Sequence, residues 1–180
     1  FNVSLLGIKI GIISDFHYIL EAMDLGGYRV ERNSSTHRGY DKIKDHFNCF
    51  QYDYDWRRDN VENAVHLHEF IMEKRAYMQK EYETLYGVKD YDVKFDIVAY
   101  SMGGLITRYY VKYGPHDLTS DGTLPPVSWE GNRYINKVII CGSPSAGSSE
   151  ALLQLNTGRK FGPFMPYYSG ALLGTFPSSY

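Results

Sequence analysis

Cysteine is nearly absent from this chain of 180 residues: Cys49 and Cys141 are the only two, too few for a disulfide framework. Long apolar runs are missing as well. No stretch approaches the roughly 20 residues that a helix needs to cross a bilayer, and no basic-then-apolar leader opens the sequence. Neither sign of charge is in excess. Lys and Arg number 19 against 21 Asp and Glu, a formal charge of −2, and the basic residues are scattered among acids rather than gathered in a stripe, which argues against a nucleic-acid partner. There is no internal repeat and no low-complexity linker. Glycine and proline are missing from Val61 to Tyr86, which leaves no turn signal in 26 consecutive positions of the sequence.

What is present fits one globular unit, with 43% apolar and 22% charged residues. Tyrosine is unusually common at 17 residues, many near Trp56 and in the C-terminal stretch; such rings suit core edges and crevice walls. "LGIKIGI", Leu6 to Ile12, alternates at period two and reads as a strand with one covered face. "SDFHYILEAMDLGGY" reads as a short helix capped by Ser14 or Asp15 and stopped at Gly26-Gly27, and "ERNSSTHRGYDKIKDH" as a polar loop. "FNCFQY", residues 47–52, reads as a short strand leading into "DYDWRRDN". From Val61 the apolar residues fall mostly on one helical stripe, giving the longest helix, which Gly87 can end.

"YDVKFDIVAY" then supplies a strand that runs straight into Ser101, and "GGLITRYYVKYG" has helical spacing up to Gly114-Pro115. A turn-rich loop follows, then the strand "INKVIICGSP", then a tail rich in aromatics, Pro and Gly that reads as irregular and apolar. Strands alternating with helices predict an α/β architecture with a mainly parallel sheet.

Ser101 stands at a strand-to-helix junction with small residues two before and two after it, Ala99 and Gly103. That is the setting of a nucleophile elbow, although Ala99 replaces the usual first glycine. On such a turn the serine oxygen stands clear of the sheet, where an imidazole can take its proton. The N–H of Met102, at the start of the helix, is placed to stabilise the oxyanion of a tetrahedral intermediate. A helix-capping serine is the plain alternative. A second oxyanion donor is expected from a loop after an earlier strand, yet no Gly-rich H-G-G-G-like segment precedes residue 101.

Four segments, "YDWRRDN" (54–60), "FDIVAYSMGGLITRYYV" (95–111), "INKVIICGSPSAGSSEAL" (135–152) and "LLGTFPSSY" (172–180), resemble in order the lecithin:cholesterol acyltransferase-like branch of the α/β-hydrolases. The resemblance implies an α/β-hydrolase fold, incomplete over residues 1–180, with about 145–180 leading into a cap and acyl-binding region. It implies serine-dependent cleavage of lipid or other acyl esters, the acyl group passing to water or an alcohol, with Ser101 as nucleophile and Met102 as oxyanion donor. No metal or cofactor is required, and contact with a membrane surface or lipoprotein is expected. Trp56 is expected to pack under the elbow, with Asp55 and Arg57 paired. "GSPSAGS" departs from the family's more usual G-T-P-x-x-G-S.

The family's chain order is Ser, then Asp or Glu, then His. The last histidine here is His116, fifteen positions after Ser101 with no acid between them. His66 and His68 lie two apart in the long helix and so face different ways, and His17, His37 and His46 precede the serine. "LGIKIGI" is a candidate for the strand that carries the oxyanion loop, without the Gly-rich turn. The expectation is an internal fragment of a longer hydrolase whose acid and histidine lie outside it, inactive by itself. In that strand order Cys49 and Cys141 are three strand spacings apart, roughly 14 Å, too far for a disulfide. Two other readings share these motifs: a hydrolase-like module that has lost its triad and binds an apolar ligand or protein partner, and a peptidase or thioesterase on the same fold.

Overall fold

The computed structural model describes residues 2–5, 8–11, 15–31, 46–160 and 166–179. His37 and most of the predicted polar loop lie outside them, as does 161–165 of the tail. Strands β1 (Asn2–Leu5) and β2 (Ile8–Gly11) pair antiparallel. The period-two stretch is thus a hairpin arm, pairing with β1 and not with the parallel strands described below. Helix α1 (Asp15–Leu25) ends at the predicted Gly26-Gly27. There Tyr28 N–H reaches Met23 O and Gly27, at φ +89°, takes the left-handed turn.

Residues 47–52 do not form the predicted strand; Cys49 makes a single parallel bridge to Val30. Around that bridge Arg29 O accepts from both Asn48 N and Cys49 N, Glu31 N donates to Cys49 O at 2.8 Å, and Arg29 N donates to the Asn48 side chain at 2.7 Å. Helix α2 (Asn60–Tyr86) matches the long stretch free of Gly and Pro. Asp59 caps it by accepting from Val61 N at 2.6 Å, and Gly87 ends it at φ +69°, its N–H returning to Glu83 O. Its buried stripe, Val61, Ala64, Leu67, Ile71 and Met78, has helical spacing.

Strand β3 (Phe95–Tyr100) leads into helix α3 (Gly103–Tyr113). A loop and a 3₁₀ turn at Glu130–Tyr134 then deliver strand β4 (Ile135–Cys141), which pairs with β3 in parallel, Ala99 opposite Ile140 and Tyr100 opposite Cys141. A parallel pair needs a crossover, and α3 is that crossover. The core lies where α3 packs on α2 and covers the start of β4: Ala64, Leu67, Ile71, Ile106, Tyr110 and Ile135. Each large aliphatic side chain fully buried there contributes about 1.5–3 kcal/mol. Further along β4, Val138, Ile139 and Ile140 are exposed.

Beyond β4 the chain forms further short elements, and the tail from Lys160 is more ordered than its composition predicts. Helix α4 (Ser149–Thr157) is capped by Ser148 and stopped at Gly158. Strands β5 (Arg159–Lys160) and β6 (Tyr167–Tyr168) pair antiparallel, and a one-turn helix, α5 (Gly170–Leu173), follows with Ser169 as its cap. The architecture is a mixture of helices with one small parallel sheet. Cys49 and Cys141 are both free.

Candidate active site

Ser101 occupies the single residue at which the chain leaves the ladder and enters the helix. Its N–H donates to Cys141 O at 2.9 Å, extending the β3–β4 pairing one step past Tyr100, and its own C=O already accepts from Gly104 N at 3.1 Å. Joining the two in so short a distance forces φ to +51°, one of only three positive values among the described non-glycine residues. For a residue with a Cβ this costs roughly 1–2 kcal/mol, and such strain is characteristic of functional turns.

The helix that begins there is left open at its N-terminus. Met102 is helical at φ −59° and ψ −26°, no side chain caps it, and no acidic residue lies in the first turn. Helices α2, α4 and α5 are capped by Asp59, Ser148 and Ser169. Gly104 N and Leu105 N bond Ser101 O and Met102 O, while the N–H groups of Met102 and Gly103, at the positive end of the dipole, have no side-chain cap.

The small residues around the serine have separate reasons. Ala99 is buried in the sheet. A Cβ on Gly103 would meet nothing closer than the Tyr54 hydroxyl at 3.7 Å, an ordinary contact. Gly104 is the tight position: a Cβ there would stand 2.0 Å from Ser143 Oγ and 3.0 Å from Ile140 Cγ2. Gly104 thus lets α3 sit directly on the end of β4, a requirement the spacing around Ser101 did not single out. Gly142, at φ +59°, turns the chain at that end and brings Ser143 under the helix.

The "YDWR" segment adjoins this turn through its tyrosine. Tyr54 lies against Gly103. Trp56 is half exposed and packs edge-on to Phe176, centroids 5.4 Å apart. The expected pairing of Asp55 with Arg57 is present as a fork, Nε to Oδ1 at 2.8 Å and the terminal nitrogen to Oδ2 at 2.6 Å. The Arg57 side chain holds the Asp55 carboxyl down to about 2. Arg57 O also accepts from Ser178 N at 3.3 Å. Two segments distant in sequence, 54–60 and 172–179, are thus clasped together.

No described histidine reaches Ser101. His116 sits past the opposite end of α3, whose 11 residues span about 16 Å, and its Nε2 bonds Glu130 Oε2 at 2.7 Å. His68 packs between the helices, its Nδ1 3.2 Å from the Tyr110 hydroxyl. His66 is exposed on α2, and His46 is buried against Tyr82 and Tyr86. His17 lies in α1. Among the described residues no group of three or more His, Cys, Asp or Glu is arranged to hold a metal, and no helix is long and apolar enough to cross a membrane.

Comparison with known proteins adds a family and no individual relative. Neither the search of curated proteins nor the search of solved structures returned a match. A family model described as lecithin:cholesterol acyltransferase matches residues 34–179, a span that holds "YDWR", the turn at Ser101, the end of β4 and nearly all of the tail. By that match the chain belongs to the lecithin:cholesterol acyltransferase family.

Proposed function

We propose that this chain carries the nucleophile of a serine-dependent hydrolase or acyltransferase that acts on lipid esters through an acyl-enzyme on Ser101. The family points to acyl transfer or hydrolysis of lipid esters; the choice of residue comes from the turn. The observation that carries it is Ser101 at φ +51° between a parallel strand and a helix with no N-terminal cap. In the proposed reaction Ser101 Oγ attacks the ester carbonyl carbon and its proton passes to a base. The carbonyl oxygen becomes negative against the Met102 N–H, then the carbon–oxygen bond breaks and the alcohol leaves with the proton. Water or a second alcohol then takes the acyl group by the same steps in reverse.

The base and its acid are drawn from outside the described residues, since His46, His66, His68 and His116 are engaged elsewhere or distant. The run of exposed apolar residues on β4 is typical of a strand covered on both faces, which supports a larger hydrolase sheet around the β3–β4 pair. Residues from about 145 onward are proposed to lead into the cap. Leu152, Leu153, Tyr167 and Leu172 are exposed there, which suits acyl chains and a membrane or lipoprotein surface. Turnover of a short-chain nitrophenyl ester by the full-length protein tests the reading. Ser101→Ala is expected to lower kcat by about 10³-fold or more, and an active Ser101→Ala protein overturns the assignment.

A further inference from the structure

Two side-chain hydroxyls flank the first turn of α3, in opposite circumstances. Ser143 Oγ is buried without a hydrogen-bond partner, sealed in the contact between Gly104 and the end of β4. It cannot meet a substrate. The Tyr54 hydroxyl lies on the Gly103 side, 3.7 Å from where a Cβ on that residue would stand, one residue along from the Met102 N–H. It has no hydrogen-bond partner among the described residues, whereas the neighbouring Tyr52 donates its hydroxyl to Asn63 O at 2.8 Å.

The ring that carries this free hydroxyl is held firmly. Tyr54 stacks on Tyr52 with centroids 6.0 Å apart and planes 27° apart, Tyr52 lies at 5.3 Å from Phe70, and both tyrosines pack against the core of α2 and α3. The ring is fixed by its neighbours, and the hydroxyl at its tip is uncommitted among the described residues. Burial pushes its phenol pKa up, so the group stays protonated and remains a donor at neutral pH. The expected Gly-rich oxyanion loop is absent from the described residues, and its candidate strand β2 pairs in a hairpin with β1.

We propose that Tyr54 is a further catalytic residue for the reaction at Ser101, its phenolic O–H donating to the ester oxygen that becomes negative during attack, beside the Met102 N–H. The proposal rests on Ser101 being the nucleophile. No bond to Tyr54 forms or breaks and its proton stays on the phenol; the hydrogen bond strengthens as the oxygen gains charge, which is how such a donor lowers the barrier.

The test uses the full-length protein, a nitrophenyl ester and a fluorophosphonate probe. Tyr54→Phe keeps the stacked ring and removes only the donor. Its kcat and its labelling rate are expected to fall by about 10²-fold, with KM within about threefold and the unfolding temperature unchanged. Tyr52→Phe, which removes the bond to Asn63 O, is expected to lower stability and leave the rate within about twofold. Difluorotyrosine at position 54, with its more acidic phenol, is expected to bring a loss of rate into the mildly alkaline range, an effect that a packing role would not produce. A Tyr54→Phe protein with wild-type kcat, or one whose only defect is in KM, overturns the proposal. If wild-type protein is neither labelled nor active, the reading of Ser101 fails and this one with it; an active wild type beside an equally active Tyr54→Phe removes Tyr54 alone.

Discussion

The two ends of α3 hold similar chemistry under opposite constraints. At the C-terminal end the last carbonyls are occupied: Gly114 N donates to Tyr110 O at 2.7 Å, and Ser128 N and Trp129 N both donate to Lys112 O. His116 and Glu130 pair at 2.7 Å, and Tyr109 donates to His116 O at 3.0 Å. At the N-terminal end the backbone is strained at Ser101, the helix has no side-chain cap, and two hydroxyls, Ser143 and Tyr54, have no hydrogen-bond partner among the described residues. The histidine-carboxylate pair looks like catalytic furniture, yet it closes a loop. The end left unsatisfied is the one proposed to meet the substrate.

Substitutions at both ends of α3 and beside the elbow break or sharpen that contrast. Gly104→Ala is expected to have the largest effect on stability, about 1–3 kcal/mol, because the new Cβ would fall 2.0 Å from Ser143 Oγ and 2.8 Å from Ser143 Cβ. Adding Ser143→Gly removes both of those atoms and should restore most of the loss in denaturant melts. A Gly104→Ala protein as stable as wild type would mean that α3 does not rest on β4 as described.

His116→Ala probes the other end. Both partners of the pair are about half exposed, so the expected loss is no more than about 1 kcal/mol, and labelling of Ser101 should stay within about twofold of wild type. A tenfold drop in labelling would show that the two ends work together and erase the distinction between them.

The smallest effect is expected at the Asp55–Arg57 clasp beside the elbow. The Asp55 carboxyl is held below its ordinary 3.8, at about 2. Its contribution is therefore fully present above pH 3.8 and is lost as pH falls through about 2. Thermal melts at about pH 5 and about pH 2.5 should show a slightly larger acid loss for wild type than for Asp55→Asn. Equal losses would mean that the fork adds nothing in solution.

Much of this was legible in the sequence, unevenly. Helix α2 was plain because 26 positions without Gly or Pro, from Val61 to Tyr86, carry one apolar stripe. The β3–Ser101–α3 junction was plain because its motif and its flanking elements agree. Helix α4 carries its own start and stop signals, Ser148, Glu150 and Gly158, in a stretch ahead of the aromatic, Pro- and Gly-rich tail. At 47–52 only a single bridge, Cys49 to Val30, stands where a strand is expected, beside a contact of Arg29 with Asn48 across 19 residues that no local pattern encodes. Gly104 and Tyr54 were not singled out for the same reason: their importance lies in what Ser143 and Gly103 bring next to them, and a one-dimensional spacing rule does not contain the partner.

The most direct test of the account is to map the site of a fluorophosphonate adduct on the full-length protein by peptide mass spectrometry. The expected result is one adduct, on Ser101, lost in Ser101→Ala and retained in His116→Ala. An adduct at Ser128 or Ser143, or labelling that persists in Ser101→Ala, would contradict the claim that the strained, uncapped end of α3 is the reactive one.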